Sequence, residues 1–188
     1  MRLRNITLCC CLTVMTACRN FEYHPYSARF YGSENIHSQT IRSIEAMCDG
    51  KDTICFAFIT DTQAAYDEMR DAIRFLDSRQ DVMFIVHGGD QSDFGLTKEF
   101  LWTRDILESQ PRPFVCLIGN HDCLGTGEHT FERIYGNPNF SLNAGFVHLV
   151  GLNTVALEYD YSNPVPDFAF IEDDYVRTCS LGDSITNT

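Results

Sequence analysis

Apolar positions along the chain gather in three unbroken runs, 54–59, 82–86 and 114–118, and each run gives way to a cluster of polar residues. Unbroken runs read as strands buried on both faces, because a strand that meets water on one side alternates. Between the runs the period changes. Residues 64–78 set Ala65, Met69, Ala72, Ile73 and Leu76 at helical spacing. Residues 97–109 do the same with Phe100, Leu101, Ile106 and Leu107; Thr97 is the expected cap, and Pro111 and Pro113 stop the helix. Strand and helix thus alternate at about thirty residues per unit, the length a parallel crossover needs. Further on, 140–143 and 146–153 read as antiparallel strands turning at Ala144 and Gly145, with a loop at Pro164 and Pro166 before a last helical start near Ile171. A short helix falls within 33–47. His148 alternates with Phe146 and Val150 and reads as a strand residue, not a ligand. The fold class that follows is α/β, a mostly parallel sheet flanked by helices.

The polar clusters carry the chemistry. They are Asp61, Thr62 and Gln63; then the stretch from Gly88 and Gly89 through Asp90 to Asp93; then Gly119, Asn120, His121 and Asp122. Each follows a strand, and the carboxyl ends of strands in an open α/β sheet face one crevice, so Asp61, Gln63, Asp90 and Asn120 are expected in one small polar volume. Two carboxylates there repel unless a proton or a cation intervenes, and oxygen donors favour hard or borderline divalent ions. Gln63 and Asn120 add neutral amide oxygens without adding charge. His121, beside a ligand, is placed to act as a general acid or to stabilise developing negative charge, with Asp122 expected to hold its ring in one tautomer. Taken singly, each cluster has a plainer reading: Asp61 as a helix cap, Gly88 and Gly89 as turn formers, the Asn120 triplet as a locally bonded loop. His87, closing the second run, reads as a satisfied polar residue, and His24, His37 and His129 suggest no role.

The three clusters in order resemble the calcineurin-like metallophosphoesterases, whose pattern is Asp-x-His, Gly-Asp-x-x-Asp and Gly-Asn-His-Asp or Gly-Asn-His-Glu. The second and third blocks match in full through Gly89, Asp90 and Asp93 and through Gly119 to Asp122. In the first, Gln63 stands where most members have His, as in a subset that reads Asp-x-Gln. The resemblance implies a layered β-sheet sandwich flanked by helices and two divalent metal ions. Asp61, Gln63 and Asp90 would hold the first ion, Asp90 and Asn120 the second. His121 would meet the leaving-group oxygen, with Asp122 and Asp93 as its companions in the catalytic group. It further implies a small phosphoester substrate, mono- or diester, hydrolysed by a water that the two metals activate. An all-oxygen first site with Gln63 favours Mn or Mg over Zn or Fe. The family takes further His ligands from a Gly-His-x-His segment, and no His follows His148. The expectation is therefore a fold lacking its C-terminal half, and the alternative function is a catalytically impaired surface lipoprotein of the same fold.

Composition narrows the partners. With 44% hydrophobic residues among 188, the chain can bury a real core. A formal net charge of -12 and the lack of a basic stripe argue against nucleic acid. The N-terminus carries basic Arg2 and Arg4, then an apolar stretch over 6–15, then Thr16, Ala17 and Cys18. This resembles a bacterial lipobox, which would make residues 1–18 a lipoprotein signal, Cys18 the lipid attachment site, and the cell envelope the location; an ordinary cleaved signal is the alternative. Residues 19–50 read as linker and short helix, 51–178 as the domain and 179–188 as an irregular tail. Of nine cysteines, Cys48, Cys55, Cys116, Cys123 and Cys179 lie beyond the leader, an odd set without metal spacing.

Overall fold

A helix, α1 (His37–Cys48), precedes a βαβαβ unit made of β1 (Phe56–Ile59), α2 (Tyr66–Leu76), β2 (Phe84–His87), α3 (Thr97–Glu108) and β3 (Phe114–Cys116). The computed structural model describes residues 24–155 and 165–185. The three strands form one parallel sheet in the order β1, β2, β3, with Phe56 opposite Phe84 and Val86 opposite Val115. A 3-10 turn (His121–Cys123) and α4 (Gly127–Ile134) follow, then the antiparallel hairpin β4 (Phe140–Ala144) and β5 (Val147–Gly151), then α5 (Phe168–Ile185).

Alternate residues of the strands serve two cores. Ile85, Phe114 and Cys116 join Met69, Ile73 and Leu76 of α2, Phe100 and Leu107 of α3, and Phe131 and Ile134 of α4. Phe84 and Val115 face the other way, onto Ile44 and Cys48 of α1 and Phe140, Leu142 and Ala144 of β4. The result is a layered α/β arrangement: helices, sheet, then hairpin with α1. Each fully buried aromatic or aliphatic side chain in these layers contributes about 1.5–3 kcal/mol of transfer free energy.

Several expectations are corrected. β1 is not buried on both faces: Phe56 is 40% and Phe58 60% exposed, because β1 is an edge strand and the hairpin covers only part of its face. The short helix expected within 33–47 is α1, and it packs into the domain. Ile44 and Cys48 are core, and the backbone N–H groups of Asn35, Ile36 and His37 donate to the carbonyls of Arg133, Ile134 and Tyr135 at the end of α4. Thr97 does not cap α3; it is the first helical residue, and the Glu99 carboxylate accepts from Leu96 N at 3.1 Å and Phe94 N at 3.0 Å instead. Residues 179–185 are not irregular but continue α5. That helix is tied to the hairpin through the buried Asp174 carboxylate, which pairs with His148 Nε2 at 2.7 Å and accepts from Ser141 Oγ at 2.5 Å. His148 is thus a strand residue with a structural partner, as its alternation suggested. Residues 1–18, with Cys18, lie outside the described residues.

Candidate metal centre

The three polar clusters leave the carboxyl ends of β1, β2 and β3 and are knitted together by backbone bonds. Asp61 N donates to Gly89 O at 3.1 Å and Gln63 N to Asp90 O at 3.2 Å, so the first two loops run as a pair. Asp61 and Asp90 both sit in the left-handed region at φ 55°. Asp tolerates that region better than most residues, yet two such positions at one sheet edge mark a backbone held in place by its surroundings.

The third loop approaches through glycines. A Cβ on Gly89 would stand 2.9 Å from Gly119 N, and one on Gly119 would stand 2.1 Å from Asp90 Oδ1. Only hydrogen at these positions lets Asp90 and Asn120 come near each other. His121 N then donates to Asp90 Oδ1 at 3.0 Å, which holds that carboxylate oxygen. The loops that carry Asp61, Gln63 and Asp90 are therefore bonded to each other, and the loop of Asn120 joins them through the neighbouring peptide of His121.

Asp122 does not orient the His121 ring. It is fully buried, and its Oδ1 accepts from Gln91 N and Ser92 N, both at 2.8 Å, and from Ser92 Oγ at 3.1 Å, while Oδ2 accepts from Gly119 N at 3.0 Å. Burial pushes its carboxyl up to about 6 against these donors, which favour the anion. Its work is to staple the second loop to the third. The ring of His121 is held instead by Asp93, whose carbonyl oxygen lies 3.0 Å from Nδ1 and whose Oδ1 lies 3.5 Å away. The Asp93 carbonyl raises its pKa; desolvation opposes this, and the charges of Asp90, Asp93 and Asp122 add to the rise.

Two further residues belong here: His87, a satisfied polar residue as its place at the end of the apolar run suggested, and Ser92, for which the sequence offered no role. His87, buried at the end of β2, lies 2.9 Å through Nε2 from Thr62 Oγ1 and accepts from Gly89 N through Nδ1 at 3.2 Å. Ser92 serves Asp122 twice and also accepts from Gly95 N at 3.2 Å. The one available signal was a polar residue closing an apolar run, since a buried imidazole must find partners. At the outer edge of β3, His37 is likewise buried and accepts from Cys116 N at 3.0 Å.

A divalent ion suits the donor set. The side chains offer two carboxylates and two amide oxygens, and among the described residues no three of His, Cys, Asp and Glu form a ready metal cluster. The buried Oε1 of Gln63 has no hydrogen-bond donor, and a buried acceptor without a donor is what a cation would satisfy. Hard ions match oxygen donors of this kind.

No curated protein matches the chain. A family model described as calcineurin-like phosphoesterase matches residues 55–184, which takes in all three loops, the hairpin and nearly all of α5. The chain belongs to the calcineurin-like phosphoesterase family, whose members generally use divalent metal ions.

Proposed function

We propose that the chain hydrolyses small phosphomonoesters or phosphodiesters with two divalent ions, Asp61, Gln63 and Asp90 holding the first, Asp90 and Asn120 the second. The observation that carries this reading is the donorless, buried Gln63 Oε1 on the loop bonded to Asp90. Bound ions would acidify the attacking water and neutralise charge on the phosphoryl oxygens. The remaining steps fall to the chain itself. The Asp93 carbonyl can only accept, so Nδ1 of His121 keeps its hydrogen and Nε2 is the nitrogen that gains and loses a proton. The side chain is 40% exposed, so the ring can meet a leaving-group oxygen, and the Asp93 carbonyl raises its pKa. Asp93 positions the ring, and Asp122 holds the peptides on which Gln91, Ser92 and Gly119 sit.

The test uses leaving groups of different basicity. With Mn present, His121→Asn should slow an alkyl phosphoester by about 10²–10⁴-fold and an activated aryl ester much less, since only a poor leaving group needs the proton. Equal losses on both would count against His121 as the acid. Mn or Mg should support more turnover than Zn or Fe, as an oxygen-only set implies; best activity with Zn would refute that preference.

The location is a separate proposal. The basic, apolar and Cys18 segments of the N-terminus support a lipid-anchored envelope protein. Metabolic labelling with palmitate should mark the chain and not a Cys18→Ser variant; label retained in the variant would exclude Cys18.

A further inference from the structure

We propose that His87 and Thr62 together form a positioning bracket that fixes the spacing of the Asp61 and Asp90 carboxylates and thereby the affinity for the first ion. The inference rests on the metal-site reading above and assigns it a control element. The bracket follows from hydrogen-bond chemistry. A backbone N–H can only donate, so the contact from Gly89 N makes His87 Nδ1 an acceptor. A neutral ring then carries its hydrogen on Nε2 and donates it to Thr62 Oγ1. Burial, opposed weakly by the charge of Asp61, lowers the pKa of the ring to about 4, so at neutral pH it stays in the form this bonding needs.

The two anchor points are what give the ring its leverage. Thr62 lies between Asp61 and Gln63, and Gly89 directly precedes Asp90, so one planar ring joins the peptide before one ligand to the residue between two others. The backbone bonds from Asp61 N to Gly89 O and from Gln63 N to Asp90 O hold the same two loops together. They fix how the chains run but leave the side-chain directions at two left-handed residues to local contacts. An apolar ring of the same size would fill the space equally well but would hold neither loop by a directional bond. Partners that orient metal ligands from behind typically change metal affinity about 10–100-fold when removed.

The experiment measures Mn binding by calorimetry on the full chain, with melting temperatures alongside, for the native protein, Thr62→Val and Thr62→Ser. Thr62→Val keeps the shape and removes the acceptor. It should weaken the tighter Mn site by about 10–100-fold, and Thr62→Ser should restore it. A bond that only stabilises the fold would lower the melting temperature and leave the Mn dissociation constant unchanged; that result overturns the proposal while the metal site stands. Native protein that binds no Mn overturns the metal site and the bracket together. Imidazole nitrogen NMR of the native chain provides a test that needs no variant: hydrogen on Nε2 of His87 is expected, and hydrogen on Nδ1 would overturn the bracket.

Discussion

At the carboxyl edge of the sheet, four donors converge on the two oxygens of Asp122, and a Cβ on Gly119 has no room. On the hairpin-facing side of β1, Phe56 and Phe58 stand half in water over an apolar groove lined by Val86, Leu117 and Leu149. The same strands build both regions, yet they obey different rules. A buried polar group is either satisfied or costly, so the loop edge tolerates little change. Apolar burial is graded by area, so the β1 face can be left partly open at modest cost. Geometric precision is concentrated where ligands must stand, and the edge strand carries the slack.

The largest effect expected from this contrast is at Asp122. Asp122→Ala strands three peptide N–H groups and a hydroxyl in a buried site and should cost about 3–5 kcal/mol in urea unfolding, with loss of Mn binding. A cost near that of an ordinary surface substitution would show that the edge is looser than its bonding implies.

Acid should act next. His37 and His87 have an ordinary value of 6.5 and are held down to about 4 by burial. The unfolded chain therefore takes up their protons first, so the stability they preserve is whole above pH 6.5 and falls as the pH drops from 6.5 toward 4. At pH 5 the loss is about 2 kcal/mol for each histidine, read from unfolding midpoints. His37→Gln, which keeps an acceptor for Cys116 N, should remove about half of the histidine share; an unchanged pH slope would contradict the assignment.

Gly119→Ala comes third. Its methyl group would press on Asp90 Oδ1 and should cost about 1–3 kcal/mol by overpacking, with a weakened metal site. Smallest of all is Phe58→Thr on the exposed face, expected within about 0.5 kcal/mol of the native chain. A large loss there would mean that the β1 face is covered in solution.

How much of this was legible in the sequence depends on the kind of interaction. The βαβαβ order was readable because period and run length are local properties, and all three polar loops fall after the strands that the apolar runs marked. The exposure of Phe58 was not readable, because an edge strand and a central strand have the same composition when the covering layer is short. Nor was the role of Asp122, since whether a carboxylate beside a histidine turns to the ring or to distant peptide N–H groups is decided by loop packing 30 residues away in sequence. Thr97 misled for a related reason: Glu99 reached back to Leu96 and Phe94 and made a hydroxyl cap unnecessary. The tail from 179 to 185 looked irregular because its polar residues hide a helix that is anchored at Asp174, upstream of them.

The most direct measurement strips the full chain of metal, adds Mn, and follows hydrolysis of an aryl phosphomonoester and a bis-aryl phosphodiester beside an Asp90→Asn variant. Turnover that requires Mn and disappears in the variant is expected. A folded native chain that binds Mn and hydrolyses neither ester, or a variant as active as the native protein, would contradict the assignment of these three loops as the working site.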